Sequence, residues 1–162
     1  MAYDFNANEI FQVAIRIEEN GAQFYRKAAE FQSDEENRKT LEKLAAMEDT
    51  HKATFERMKQ DLSAAEKTST VFDPNNEASQ YLAAMADTHG GEGSPAAADR
   101  LTGKESIGDI VDIALDLEKE SILFYLGLKE LVPPQYGQDR LDKIIEEERR
   151  HIVQLNGFRK RV

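Results

Sequence analysis

The 162 residues include no cysteine. That absence excludes disulfides, iron–sulfur clusters, a thiol nucleophile and any Cys-ligated zinc or rubredoxin-type iron within the chain, so a metal here has carboxylate and imidazole to bind. Clustered basic charge is missing too. Against a net charge of -10, the nearest approach to a cationic run is Arg159, Lys160 and Arg161. Nucleic acid and anionic membrane surfaces draw on such clusters, so neither is an expected partner, and cationic ligands suit the chain better. No apolar run approaches the ~20 residues that span a bilayer, and the start MAYDFNANEI has neither the basic opening nor the apolar stretch of a secretory signal. A soluble, cytoplasmic protein is the expectation. Proline is scarce, at 4 residues, while 40% hydrophobic and 32% charged residues describe a chain rich in exposed helix surface. The length fits a single domain, 1–162, with one real hydrophobic core.

Helix punctuation then divides the chain. Asn6 caps a first helix, with Glu9 three residues later. Apolar residues recur with helical spacing at Phe11, Ala14, Ile15, Phe24, Tyr25 and Ala28, as far as about Phe31. Ser33 followed by Glu36 reads as a second capping box so soon after that the next helix must fold back on the first, its inward stripe running Leu41, Leu44, Glu48, His51, Phe55 and Met58. This hairpin spans about residues 6–62. A crossover follows over about 63–105, broken at Asp73–Asn76 and Gly90–Pro95, with a short helix expected from Glu77 to Asp87 around Tyr81, Leu82 and Met85. Ser106 caps a third long helix through Val111, Ala114, Leu117, Phe124 and Leu128, stopped by Pro133 and Pro134. Asp139 or a neighbour opens the fourth, with Leu141, Ile144, Ile145, Ile152 and Leu155 apolar, and this second hairpin spans about 106–158. The expected fold is all-α: an antiparallel four-helix bundle of two hairpins joined by a long crossover.

The two hairpins repeat one another at a displacement of 100 positions. Ile10 recurs as Ile110, Ala14 as Ala114, Phe24 as Phe124 and Leu41 as Leu141, which predicts packing about a pseudo-twofold axis. Polar residues obey the same displacement. Glu18, Tyr25, Glu48 and His51 recur as Glu118, Tyr125, Glu148 and His151.

Residues three apart on a helix share a face, so Glu48 with His51, and Glu148 with His151, can each present an oxygen and a nitrogen to one ion. One Glu-x-x-His says little, because 19 of 162 residues are Glu and a given His meets one at that spacing about one time in nine. Here two of only three histidines sit in the motif, and each follows by 33 residues a Glu in an apolar stripe. Four carboxylates converging out of water demand protonation or cations. Two divalent ions would balance them and leave both imidazoles as neutral ligands, and mixed oxygen and nitrogen donors suit iron or manganese better than a closed structural zinc site. The displacement also selects Glu18 over Glu19 and Glu118 over Glu120, since Glu19 corresponds to Lys119 and Glu120 to Asn20. Ala14, Gly21, Ala114 and Ser121, one turn either side of these glutamates, leave room for metals and a small molecule or simply let the helices pack closely. Tyr25 and Tyr125 stand two turns on, placed to hydrogen-bond bound carboxylates or simply to fill the core. His89, beside Gly90 and Gly91, reads as a loop residue.

The segments AIRIEENGAQFY with MEDTH in the first half, and ALDLEKESILFY with EERRH in the second, resemble the rubrerythrin branch of the ferritin-like superfamily. The resemblance covers essentially the whole chain apart from the crossover's details. It implies a carboxylate-bridged centre of two iron ions, with manganese or zinc as substitutes, that reacts with peroxide or dioxygen. Glu18 and Glu118 would come from the first and third helices and the Glu-x-x-His pairs from the second and fourth. Two departures stand out. Rubrerythrins proper end in a rubredoxin domain with four iron-binding cysteines, for which this sequence has neither cysteines nor length. Electrons would then come from an external donor such as a rubredoxin-like protein. They also carry a further carboxylate one turn after the third-helix ligand, where this chain has Ser121. The expectation is a homodimeric redox protein that reduces hydrogen peroxide. The alternatives are a ferroxidase handling iron for storage or delivery, and a non-enzymatic bundle stabilised by its metals.

Overall fold

A computed structural model of the chain describes residues 5–68, 75, 77, 80–84 and 95–162. Four long helices carry the architecture: α1 (Ala7–Glu30), α2 (Glu35–Gln60), α4 (Ile107–Lys129) and α5 (Gln138–Arg159), with a short α3 (Pro95–Asp99) in the crossover. No strand occurs among the described residues. The protein is an all-α four-helix bundle in which α1 and α2 form one hairpin, and α4 and α5 the other.

Capping chemistry sets most of the boundaries. The Asn6 side chain accepts from the Glu9 N–H at 2.9 Å while the Glu9 carboxylate accepts from the Asn6 N–H at 2.9 Å, satisfying two donors that the first turn leaves open. Ser106 and Asp109 do the same for α4. The second helix departs from expectation: its cap is Asp34, not Ser33, and the Asp34 carboxylate accepts from the Asn37 N–H at 2.9 Å. Both residue types cap, but the ionised Asp also complements the positive end of the helix dipole. Asp139 lies in the first turn of α5 rather than at its cap. That cap is Gly137, in the left-handed region at φ 95°, which offers no side-chain hydrogen bond. The chain ends α4 at Lys129, before the two prolines, and Pro134–Tyr136 form a single 3₁₀ turn. Of the helix expected over Glu77 to Asp87, residues 77 and 80–84 are helical; the remainder lies outside the described residues. Within it Leu82 is buried and the Tyr81 ring stacks on Phe5.

The crossover is tied down where it leaves α2. Glu66 accepts from the Arg140 guanidinium at 2.6 and 3.3 Å and from the Ser63 N–H at 2.7 Å, and Asn6 donates to the Thr68 carbonyl at 2.8 Å. These bonds join the end of the first hairpin to the starts of α1 and α5. Gly137 sits at this junction, where an added Cβ would lie 2.7 Å from the Ala7 Cβ and 3.1 Å from Glu66 Cγ.

The buried apolar residues form two layers at opposite ends of the bundle. One contains Phe5, Ile10, Phe11, Phe55, Phe124, Tyr125, Leu141 and Ile144, and the other Phe24, Tyr25, Leu41, Leu44, Ile110, Leu117 and Leu155. Residues 18, 48, 118 and 148 fall between these layers along all four helices. Each fully buried Leu, Ile or Phe contributes about 1.5–3 kcal/mol relative to exposure, so apolar burial on both sides offsets a polar layer in the middle.

Candidate metal centre

Glu18, Glu48, Glu118, Glu148 and His151 are each at most 1% exposed, one carboxylate projecting inward from every long helix. His51 is slightly less enclosed, with 11% of its side chain exposed. Within the first hairpin, His51 Nδ1 lies 3.1 Å from Glu48 Oε2 and 3.5 Å from Glu18 Oε2. Within the second, His151 Nδ1 lies 3.2 Å from Glu148 Oε2 and 3.5 Å from Glu118 Oε1. The 100-residue displacement in sequence is therefore a pair of near-identical Glu, Glu, His trios in space. They abut through their imidazoles, whose rings stack with centroids 3.4 Å apart and planes 7° from parallel.

Ligand atoms of Glu18, Glu48, His51 and His151 lie within 4.8 Å of one another, as do those of Glu118, Glu148 and His151. His151 belongs to both groups, so the two sets form one continuous cluster.

The electrostatics of the cluster favour positive charge inside it. Burial alone would raise the Glu48 carboxyl, but hydrogen bonds with His51 and Glu18 and the charge of both imidazoles hold it below the ordinary value. Burial alone would lower His151, yet the close approach and charge of Glu148, with Glu48 and Glu147 behind it, raise it above the usual imidazole value. A field that retains a proton on a buried imidazole would also retain a metal cation. Several atoms await such a partner. Glu148 Oε1 and His151 Nε2 are buried with no hydrogen-bond partner among the described residues. Carboxylate oxygen, imidazole nitrogen and two negative charges per trio fit a pair of divalent ions of the iron or manganese kind.

A family model described as rubrerythrin matches residues 9–158. The chain belongs to the rubrerythrin family. The match takes in all four long helices but the ends, and so the whole of the polar layer. A solved structure from Thermotoga maritima, named as a candidate ferritin-like diiron-carboxylate protein, is 26% identical, with a TM-score of 0.56 over 99% of this chain and 98% of that one. No curated relative matches. This rubrerythrin-family chain thus has a ferritin-like bundle and, at its centre, a carboxylate and histidine cluster of the composition a metal site needs.

The rejected neighbours lie outside the cluster. Glu19 is exposed and pairs with Lys52 at 3.2 Å; Glu120 is exposed. Ala14, Gly21, Ala114 and Ser121 are all buried beside the cluster, as their register requires. Tyr25 and Tyr125 are fully buried, in opposite apolar layers, each against the phenylalanine that precedes it. The Tyr125 phenol has no hydrogen-bond partner among the described residues, and burial with the charges of Glu148, Glu18 and Glu118 pushes it well above its ordinary value. It stays a donor. His89 lies outside the described residues. The sequence reading missed the Glu66–Arg140 pair. No local pattern signals a contact 74 residues apart, although a lone Glu after a Ser three positions earlier is a visible cap.

Proposed function

We propose that the chain holds two iron ions through Glu18, Glu48, His51, Glu118, Glu148 and His151, and uses them in the cytoplasm to reduce hydrogen peroxide with electrons from an external donor protein. The observation that carries this reading is the duplicated trio, with each Nδ1 set between two carboxylates of its own hairpin at matched distances. Two ferrous ions supply the two electrons that, with two protons, convert one peroxide to two waters. The residues do the rest. Four carboxylates neutralise two divalent charges, and the imidazoles complete the donor set without adding charge. The flanking aromatic and aliphatic layers keep bulk water from the centre, which strengthens every electrostatic interaction inside it. The Tyr125 hydroxyl is an uncommitted donor within reach of the charge of Glu148, and it would orient that carboxylate. These 162 residues hold no cysteine for a rubredoxin-type iron, which supports assigning reduction to an external donor such as a rubredoxin-like protein.

Anaerobic loading with ferrous iron followed by rapid mixing with peroxide tests the reading. Oxidation of two irons per chain by one peroxide, far faster than for free ferrous ion, is expected. A rate no higher than that of free ferrous ion overturns it. Fast reaction with dioxygen only, in a large hollow assembly, would instead mark an iron-storage ferroxidase.

A further inference from the structure

The two trios match in their distances but not in their cover. Five of the six side chains are at most 2% exposed, whereas 11% of the His51 side chain reaches solvent. Its repeat partner His151 is 1% exposed. The cluster therefore meets solvent chiefly at one imidazole, on hairpin 1.

The residues beside each histidine account for the difference. With 3.6 residues per turn, Met47, Thr50 and Thr54 lie along one side of His51 on α2, and Glu147, Arg150 and Gln154 hold the matching places beside His151 on α5. On α2 these side chains are short or turned away. Met47 packs against the apolar layer that contains Phe24 and Leu44. The Thr50 hydroxyl donates back to the Ala46 carbonyl at 3.0 Å, and the Thr54 hydroxyl to the Thr50 carbonyl at 3.1 Å. On α5 the side chains are longer, and Arg150 spans Glu147 at 2.5 Å and Glu146 at 2.7 Å. The Glu147 carboxylate lies near enough for its charge to act on His151. Hairpin 1 has Ala46, Met47 and Thr50 at the positions of that ion-paired group, so no such cover forms there.

Ions enter a buried cluster where one of its donors touches solvent. Onward passage is open as well, because His151 belongs to both groups of ligand atoms and an ion held by the outer group reaches the inner one without leaving the cluster. We propose that His51, beside Thr50 and Thr54, is the port of the centre: a divalent cation binds first at Glu18, Glu48 and His51, and is handed through His151 to the sealed trio of hairpin 2. This order of filling rests on reading the trios as metal sites, and it makes the hairpin 1 ion the one that exchanges with chelator.

Two measurements test it. In the metal-free protein, diethyl pyrocarbonate followed by peptide mass spectrometry should modify His51 about tenfold faster than His151, in line with their exposures. Equal rates overturn the port. Cobaltous ion mixed with the metal-free chain, followed by its visible absorption, should bind in two phases, the second reporting transfer inward. Ala46→Glu with Thr50→Arg and Thr54→Gln gives hairpin 1 the cover of hairpin 2 at unchanged net charge, and none of these positions is a ligand. That variant should still bind two ions, with loading and release to chelator each slowed by about tenfold or more. Two ions bound at the parent's rate overturn the port while leaving the metal sites in place. Fewer than two ions in the parent overturns the metal sites themselves, and the order of filling with them.

Discussion

Glu118→Gln separates stability from metal binding. Without metal the polar layer holds four carboxylates and two imidazoles, and even with both imidazoles protonated two negative charges remain uncompensated. Two unit charges ~5 Å apart repel by about 3 kcal/mol at an effective dielectric of 20. Glu118 lies 3.5 Å from His151 Nδ1, farther than Glu148 at 3.2 Å, so its neutralisation forfeits the weaker of the two attractions. Relief of repulsion less that loss leaves a net gain of about 1–2 kcal/mol. For a chain of this size that raises Tm by about 2–8 °C in the presence of chelator. With ferrous ion the order reverses. The unmodified protein gains about 2.7 kcal/mol at a metal concentration 100-fold above Kd, whereas the variant, one ligand short, gains less than half of that. Thermal unfolding followed by circular dichroism, anaerobically, with chelator and then with ferrous ion, measures both. A variant that melts lower than the parent in chelator, yet gains the same increment from metal, would refute the reasoning.

Glu66→Gln removes a carboxylate held down to about 2, first by its Arg140 hydrogen bond and then by the Ser63 N–H. A depressed carboxyl contributes stability that is fully present above its unfolded value of 4.5 and is lost as pH falls through about 2. The variant should be about 2 kcal/mol less stable than the parent in urea at neutral pH, with the difference closing between pH 4.5 and 2. A difference that persists at the acid end would contradict the assignment. Gly137→Ala combines φ 95° with a Cβ 2.7 Å from that of Ala7, and should lose about 1–3 kcal/mol in the same assay. Equal stability there would mean that the junction shifts freely. Tyr125→Phe keeps the ring and deletes the lone donor; ferrous affinity should fall by about threefold to tenfold with Tm in chelator unchanged or raised, because the buried phenol has no partner to lose. Unaltered affinity would make Tyr125 a core aromatic only.

The bundle and the composition of its polar layer were legible because both depend on periodicity. Phe24, Leu41 and Leu44 recur at helical spacing, and the four glutamates occupy positions that periodicity assigns to the interior, where a charge has no bland explanation. The repeat then resolved Glu18 from Glu19, which spacing alone leaves ambiguous because adjacent residues lie only 100° apart on a helix. What escaped was whatever depends on distant segments meeting. The stacking of His51 on His151 needs the relative height of two hairpins, and Glu66 finds Arg140 only after the crossover folds back. The displacement of the second cap from Ser33 to Asp34 is a smaller miss, between neighbours of equal capping propensity decided by charge.

The central functional claim is that two trios make two metal sites in one chain. Anaerobic titration with ferrous ion, read by metal analysis of the washed protein, tests it most directly. The account predicts two irons per chain for the parent and a loss of at least one on replacing His151, which joins both groups of ligands. One iron per chain or fewer in the parent, or two irons retained after His151→Ala together with Glu48→Gln, would contradict it.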